Sequence, residues 1–396
     1  MTFSARFPTE RSSNRLTRAV QQARVEARPI LDLTESNPTH AGFEYPSDLL
    51  APLADARGLV YQPCPLGLPE ARQAISRDYA RRGISVDADR IVLTASTSEA
   101  YSMLFKLLAD AGDEVLVPRP SYPLFDHLTR LDLVTARPYD LEYHGSWSID
   151  ISSVERALTS RTRALLLVSP NNPTGSFVAA RELEQLAAMC ARGGVAIIAD
   201  EVFADYELRT GAAAGAGRVI DCRQVLAFSL GGLSKSAGVP QVKLAWIAAG
   251  GPDAVVAEAL ERLEIVCDTY LSVSTAVQLA ASHLLERAPA IRAQIQTRIA
   301  ANHRQLTERV AVMPACRVLQ ADGGWYGVLQ VPSFTSEEEL VVDLVTTAGV
   351  LAHPGFFFDF PRESYLVVSL LTPPPVFAEG LDRVLRHLRT MTPGND

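Results

Sequence analysis

The chain has 396 residues, 47% hydrophobic and 21% charged, and its formal net charge is −8. This composition is typical of a globular protein with one large domain and a smaller companion, and the acidic balance argues against a nucleic-acid-binding surface. No apolar run approaches the ~18 residues of a membrane-spanning helix, and the N-terminus lacks the apolar core of a signal peptide. We therefore expect a cytoplasmic protein with no membrane or nucleic-acid partner.

The five cysteines are odd in number and widely spaced, without Cys-x-x-Cys pairs. This pattern predicts reduced thiols, with no disulfide framework and no metal site.

Two loops near the N-terminus carry the first candidate binding residues. Asn37 lies in an Asn-Pro turn after a short strand, where it would either present its amide to a site or act as a plain connector. Tyr61 lies in a Pro/Gly-rich loop at 58–67. An exposed tyrosine in such a loop would be able to reach a partner subunit.

A short apolar strand at 90–94 runs into a hydroxyl-rich helix start. Ser96 and Glu99 have the spacing of a capping box. Ser96, Thr97 and Ser98 bring hydroxyls and free backbone N–H groups to the helix N-terminus, which favours an anion. The segment predicts either a phosphate site or a helix cap alone.

Further apolar runs alternate with helical segments and predict an α/β fold. They lie at 114–117, 164–168, 195–199, 225–228 and 243–247. Continuous apolar runs fit strands that are buried on both faces of a mostly parallel sheet. Ligands of such sheets bind beyond the carboxyl ends of the strands. Polar residues follow several of these ends, at 94–98, 120–123, 169–175, 200–201 and 229–236.

Lysine is almost absent from the chain, and its only occurrences are Lys106, Lys235 and Lys243. The last two lie in a Gly/Ser-rich turn, where an amine can add to an aldehyde and a guanidinium cannot. Lys235 is therefore a candidate nucleophile, and a plain surface turn is the alternative. A Walker phosphate loop does not fit, because Ser234 and Ser229 stand where that motif requires glycine.

Three motifs, taken in order, resemble a known family. They are Asn-Asn-Pro-Thr-Gly at 171–175, Asp200-Glu201-Val202 at a strand end, and Ser234-Lys235 followed by Lys243. Over nearly its whole length the chain resembles the fold-type I pyridoxal-phosphate-dependent aminotransferases of the aspartate aminotransferase superfamily, class I/II. No Gly-x-Gly-x-x-Gly opens a helix after a strand, so a dinucleotide enzyme is disfavoured.

The resemblance implies two domains. The large domain, at 45–285, would bind the cofactor on a mostly parallel sheet of the seven-stranded type flanked by helices. A smaller α+β domain would be formed from the two chain ends, at 1–44 and 286–396.

The resemblance also implies a cofactor, pyridoxal 5'-phosphate, held as an internal aldimine by Lys235. Asp200 would pair with the pyridinium nitrogen, Asn172 would donate to the phenolic oxygen, and Tyr122 would stack on the ring. The other implied cofactor contacts are Ser96, Thr97, Ser98 and Lys243 at the phosphate, Ser234 beside the lysine, and Tyr61 of a neighbouring subunit. The last contact implies a homodimer with shared active sites.

Several positions depart from the family pattern on the substrate side. Relatives carry an Arg-x-Ser segment whose arginine clamps the substrate carboxylate, whereas Val367 stands at that position here. Either another cation substitutes, with His353 and Arg362 as candidates, or the donor has an unusual headgroup. Phe203 replaces a tyrosine found in many relatives. Trp325 is a candidate for the substrate wall, with core packing as the equal alternative.

These features favour ping-pong transamination, in which an amino acid gives its amino group to a 2-oxo acid. The main alternative is a C–S lyase acting by β-elimination, or another pyridoxal-phosphate enzyme on the same scaffold. A regulatory protein without turnover is the alternative outside enzymes, but the chain lacks the appended helix-turn-helix that would indicate it.

Overall fold

The structure is a computed structural model that describes residues 3–8, 12–362 and 364–391. Its strands are β1 (Leu31–Asp32), β2 (Ile91–Thr94), β3 (Glu114–Arg119), β4 (Thr135–Tyr143), β5 (Trp147–Ile149), β6 (Thr162–Val168), β7 (Ala196–Asp200), β8 (Ala227–Gly232), β9 (Ala245–Gly250), β10 (Arg317–Val318), β11 (Tyr326–Gln330), β12 (Val350–Leu351), β13 (His353–Pro354) and β14 (Tyr365–Ser369).

The α-helices are α1 (Arg15–Val25), α2 (Pro69–Arg81), α3 (Thr97–Leu108), α4 (Phe125–Leu131), α5 (Ile151–Ala157), α6 (Ala180–Gly193), α7 (Leu233–Ser236), α8 (Asp253–Tyr270), α9 (Thr275–Val310), α10 (Glu337–Asp343) and α11 (Pro374–Met391). Within the described residues, no helix is both long enough and apolar enough to cross a membrane.

In the described part of the chain, the strands β2 to β9 form one eight-stranded sheet in the order β2-β9-β8-β7-β6-β3-β4-β5. The central strands β8, β7, β6, β3 and β4 run parallel, while β9 and β5 are antiparallel to their neighbours. The α/β class with a large, helix-flanked sheet is therefore confirmed. The sheet has one strand more than the seven-stranded type.

Helices cover both faces of this sheet, which explains the continuous apolar runs of the central strands. On one face, α3 and α8 bury Leu104 and Leu263 against Phe228 of β8. On the other face, α6 buries Leu186 against Ile197 of β7. Because these strands are apolar on both faces, packing between two layers of helices removes both faces from water.

The second sheet comes from the C-terminal part of the chain. It has four antiparallel strands in the order β10-β11-β14-β13 among the described residues. The N-terminal segment joins the same region, because β1 pairs with β12 in parallel, Leu31 opposite Val350.

A 36-residue helix, α9, connects the two parts. It packs on α2 near the large sheet and on β10 and α11 near the small one. The predicted domain boundary at 285/286 falls inside this helix. Both boundaries stay predictions, and residues 1–2, 9–11, 363 and 392–396 of the predicted small domain lie outside the described residues.

Candidate active site

A cavity of about 260 Å³ lies beyond the carboxyl ends of the central strands. Its lining includes Val168, Asp200 and Gly232, which are the last residues of the neighbouring strands β6, β7 and β8. Val168 is the register partner of Asp200, and Asp200 is the register partner of Leu230. The sheet therefore gathers the polar strand ends at one place, as parallel sheets do for their ligands.

Eight of the residues predicted from the sequence line this cavity. They are Ser96, Thr97, Ser98, Tyr122, Asn172, Asp200, Ser234 and Lys235. They come from five separate stretches of the chain, and the fold brings them together.

The start of α3 presents free donors to the cavity. Ser96 is the N-cap, and its hydroxyl accepts the backbone N–H of Glu99 at 3.1 Å. The Glu99 carboxylate accepts from the N–H of Ala95 at 2.6 Å and from the hydroxyl of Ser272 at 2.7 Å. The serine half of the predicted capping box is confirmed, whereas the glutamate half reaches one residue further back. The helix start retains the N–H groups and hydroxyls that suit an anion.

Lys235 and Asp200 form an ionisable pair inside the cavity. Burial lowers the pKa of Lys235, and the charge of Asp200 opposes that shift. Burial raises the pKa of Asp200 to about 6. The N–H of Val202 (3.1 Å), the hydroxyl of Tyr101 (3.4 Å) and the charge of Lys235 partly offset this rise. The pKa values of both groups are therefore displaced from their values in water toward neutral pH.

Aromatic rings lie behind Lys235. Its Nζ atom is 5.4 Å from the ring centroid of Trp325 and 5.9 Å from that of Phe203, within the range of a cation–π contact. The hydroxyl of Tyr206 donates to the Lys235 carbonyl oxygen at 2.6 Å. Trp325 is fully buried and packs on Phe203 and Tyr206. It supports the lysine and does not line the cavity, and its predicted role toward substrate stays a prediction.

The two asparagines of the 171–175 turn have different partners. Asn171 holds the turn together, since its amide donates to Pro120 and Thr174 and its oxygen accepts from Ser121. Asn172 lines the cavity, and its buried Oδ1 has no hydrogen-bond partner among the described residues. A buried acceptor oxygen without a donor is costly, so the position suits a polar ligand group that can donate a hydrogen bond to it.

Gly175 fixes how this turn docks. Its φ is +71°, and a Cβ there would lie 2.5 Å from the carbonyl oxygen of Gly323. Any side chain would therefore push the turn away from the segment before β11.

Three predicted residues lie outside the cavity lining. Tyr61 is 77% exposed and lines a separate cleft. Lys243 is exposed, with φ +59°, just before β9. Asn37 closes its own turn, because its side-chain oxygen accepts from the N–H and the hydroxyl of Thr39. Their predicted contacts with cofactor or substrate stay predictions.

The predicted cations of the small sheet also lie outside the lining. His353 in β13 packs against the rings of Phe357 and Phe358, and burial lowers its pKa, opposed by Asp32. Arg362 is exposed in the turn before β14. Their roles toward a carboxylate stay predictions.

The sequence patterns did not assign a site role to several further residues that line the cavity, among them Ser36, Phe125, Val202 and Tyr326. Two had a usable signal, because Ser36 and Tyr326 are direct neighbours of the selected Asn37 and Trp325. In an extended segment neighbouring side chains point to opposite faces, and here the Tyr326 side chain is the one that lines the cavity. Phe125 and Val202 read as ordinary core residues.

The combination of a half-buried lysine, a half-buried aspartate and a helix start rich in N–H groups defines the site of a pyridoxal-phosphate enzyme. Pyridoxal 5'-phosphate needs an amine for its aldehyde, a carboxylate for its ring nitrogen and donors for its phosphate. The residues that line the cavity supply each of these, and the orphaned Asn172 oxygen indicates a further polar contact. The residues present therefore fit the cofactor.

The chain belongs to the family "aminotransferase class I and II", whose model matches residues 30–383. It is a pyridoxal-phosphate-dependent transaminase. An alanine aminotransferase of Mycobacterium tuberculosis is 27% identical over 380 residues, 91% of this chain and 86% of that protein. Nicotianamine aminotransferase B of Hordeum vulgare is 31% identical over 256 residues, 63% of this chain but only 45% of that protein.

Solved structures have the same fold. An alanine aminotransferase from Pyrococcus furiosus superposes with a TM-score of 0.85 at 23% identity, over 96% of this chain and 100% of that one. An aspartate aminotransferase of Thermus thermophilus gives a TM-score of 0.84 at 20% identity, over 98% and 99%. At these identities the likeness concerns the fold alone.

Proposed function

We propose that this transaminase moves an amino group from an amino acid to a 2-oxo acid in two half-reactions at the cavity described above. The observation that carries the proposal is the placement of Lys235 and Asp200 in one buried cavity with the start of α3. The names of the relatives, alanine and nicotianamine aminotransferases, support amino acids as donors.

Bound pyridoxal phosphate supplies an electron sink for the bond that breaks at the substrate Cα. Lys235 would hold the cofactor covalently through Nζ. Once an incoming amine displaces it, the freed Nζ would take the proton from the substrate Cα and deliver it to the cofactor's C4′ carbon, on the other side of the connecting nitrogen. Burial lowers the pKa of this amine, which favours the neutral form that a base requires.

The other lining residues would bind and orient. Asp200 would face the ring nitrogen, where a nearby cation keeps the carboxylate charged. Asn172 would meet the phenolic oxygen, and Tyr122 would cover one face of the ring. Ser96, Thr97 and Ser98 would bind the phosphate.

Lys243 and Tyr61 enter the proposal through the phosphate and through a homodimer. Lys243 would add a cation at the phosphate. Tyr61 would reach the phosphate of the neighbouring subunit, giving shared active sites. An exposed apolar run, Leu59, Val60 and Tyr61, at 88%, 64% and 77% exposure, supports a partner at this loop. The proposed location is the cytoplasm.

The test is visible absorption of the cofactor-loaded protein, recorded with single amino acids in the absence of any 2-oxo acid. We expect one class of donor to bleach the cofactor band once and a 2-oxo acid to restore it. Continuous release of ammonia and a 2-oxo acid without an acceptor would contradict transamination and identify the eliminating lyase. Lys235→Ala should show no bleaching, while Lys106→Ala, which changes a lysine outside the cavity lining, should behave as the parent protein.

A further inference from the structure

The described lining of the cavity is rich in aromatic rings and nearly without cations. The rings of Tyr122, Phe125, Phe203 and Tyr326 line it. Among the lining residues that the structure describes, Lys235 alone has a cationic side chain, and its charge interacts with that of Asp200, which also lines the cavity. The cavity therefore has no cation to spare for a second anion.

In the proposed function, the cofactor would use the cations that are present. Lys235 would be engaged at the cofactor aldehyde, and the phosphate would add negative charge at the start of α3. Asp200 would pair with the ring nitrogen, and the phosphate with Lys243 and the start of α3, so no cation of the described lining would remain for a substrate carboxylate. An anion taken from water without a cation partner is strongly disfavoured.

The wall that the small sheet contributes is equally poor in cations. Val367 in β14 is fully buried opposite Val328, in one cluster with Leu319, Phe358 and Phe360. Tyr326, which lines the cavity, has its ring 6.3 Å from that of Phe358.

The nearest polar groups on this wall are neutral. Tyr326 and Ser36 both line the cavity, and burial raises the pKa of the Tyr326 hydroxyl to about 12, so it is neutral. His353, beside Val367 in the sheet, is held toward its neutral form because burial lowers its pKa. Arg362 is exposed in its turn and lies outside the lining.

We propose that this site selects its amino donor by an aromatic or other apolar side chain and not by a carboxylate. Arylalkyl amines are then donors comparable with the matching amino acids, and dicarboxylic amino acids are poor donors. That these compounds act as amino donors rests on the proposed function, whereas the expected binding preference rests on the residues that line the cavity.

The kinetic test compares three donors in the half-reaction: phenylalanine, 2-phenylethylamine and glutamate. We expect phenylalanine and 2-phenylethylamine to react within about 10-fold of each other and glutamate at least about 100-fold more slowly, because a site discriminates strongly only against the loss of a group that it is built to bind. A preference of about 100-fold or more for phenylalanine over 2-phenylethylamine would overturn the inference, and so would glutamate as the fastest donor.

A binding test keeps this inference separate from the proposed function. Isothermal titration of the cofactor-loaded protein compares 3-phenylpropanoate with 3-phenylpropanamide, which have the same shape and differ in charge. We expect the amide to bind at least as tightly as the acid. An acid that binds about 10-fold more tightly or better, the difference expected for a charge-assisted pair, would overturn the inference. If no donor bleached the cofactor band, the proposed function would fail while this comparison still decided the inference.

Variants test whether the cavity lacks a cation for a carboxylate. Ser36→Arg adds a cation at the lining, and Ser36→Gln is the uncharged control of similar length. Provided that circular dichroism shows both to be folded, Ser36→Arg should tighten 3-phenylpropanoate by about 10-fold relative to Ser36→Gln, and the absence of any gain would count against the inference. Arg362→Ala should leave the affinity for the acid unchanged, and a 10-fold loss would identify Arg362 as the carboxylate partner and overturn the inference.

Discussion

The two walls of the cavity differ in chemistry and in origin. The wall at the ends of β6, β7 and β8, with the start of α3, is polar and holds Lys235, Asp200 and Asn172. The other wall is contributed by Tyr326 of the small sheet, whose ring packs toward Phe358 in the cluster that contains the buried Val367.

The difference shows which part of the site is tied to the fold. Strand ends and a helix start present N–H groups, carbonyls and short polar side chains in fixed positions, so the cofactor wall follows from the parallel sheet itself. The substrate wall depends on which side chains the small sheet carries. A single residue such as Val367 can therefore change substrate chemistry while the cofactor wall stays intact.

The largest expected effect is on the cofactor wall. Lys235→Ala should lower the turnover number by about 10⁴-fold, because it removes the group that moves the proton. Steady-state assays of amino transfer measure this loss. Lys106→Ala, whose parent side chain pairs with Asp132 on the surface, should retain the parent turnover number. If the turnover number of Lys235→Ala were within 10-fold of the parent value, the polar wall would not contain the group that moves the proton.

The next effect concerns the pH dependence of stability in the cofactor-free protein. The folded pKa of Asp200 is about 6, above its ordinary value of 3.8. A raised folded pKa means that the native state holds the proton more tightly than the unfolded state. Its contribution to stability is thus present below about pH 4 and lost as the pH rises through about 6, by an amount on the order of 3 kcal/mol.

Asp200→Asn removes this titration. Urea unfolding at pH 4.5 and pH 7 should show that the variant gains stability relative to the parent as the pH rises. Asp126→Asn, at a side chain that is 58% exposed, is the matched control and should follow the parent. Parallel pH profiles for Asp200→Asn and the parent would show that the carboxylate is not held in a desolvated wall.

The smallest expected effect concerns the hydrogen bond between Tyr206 and the backbone of Lys235. Tyr206→Phe removes the hydroxyl that donates to the Lys235 carbonyl oxygen at 2.6 Å but keeps the ring against Trp325. Because the bond is buried, its loss should lower the free energy of unfolding by about 1 kcal/mol. Urea unfolding measures the change, and an unaltered midpoint would mean that packing alone fixes the lysine turn.

Most of the cofactor wall was predictable from the sequence. Lys235, Asp200, Asn172 and the hydroxyls at 96–98 follow buried apolar runs, so their positions at one edge of a sheet come from local pattern alone. The rarity of lysine in this chain added a chemical reason to select Lys235.

Other parts of the fold and of the site could not be predicted from the sequence, for physical reasons. β4 was missed because only Tyr139 and Leu141 of its nine residues are buried, so it has no apolar run to detect. On the substrate wall, Trp325 and Tyr326 are equally apolar neighbours, and only the packing of the small sheet decides which one faces the cavity. That packing depends on contacts distant in sequence, such as β1 with β12.

The most direct test of the account is reductive trapping of the cofactor followed by mass spectrometry. The chain has only three lysines, Lys106, Lys235 and Lys243, so borohydride reduction of the cofactor-loaded protein leaves few sites to distinguish. We expect the cofactor on the peptide that contains Lys235, and a donor amine added before the borohydride should release it from that peptide. Label on Lys243 or Lys106, or no label in a loaded and folded protein, would contradict the central claim.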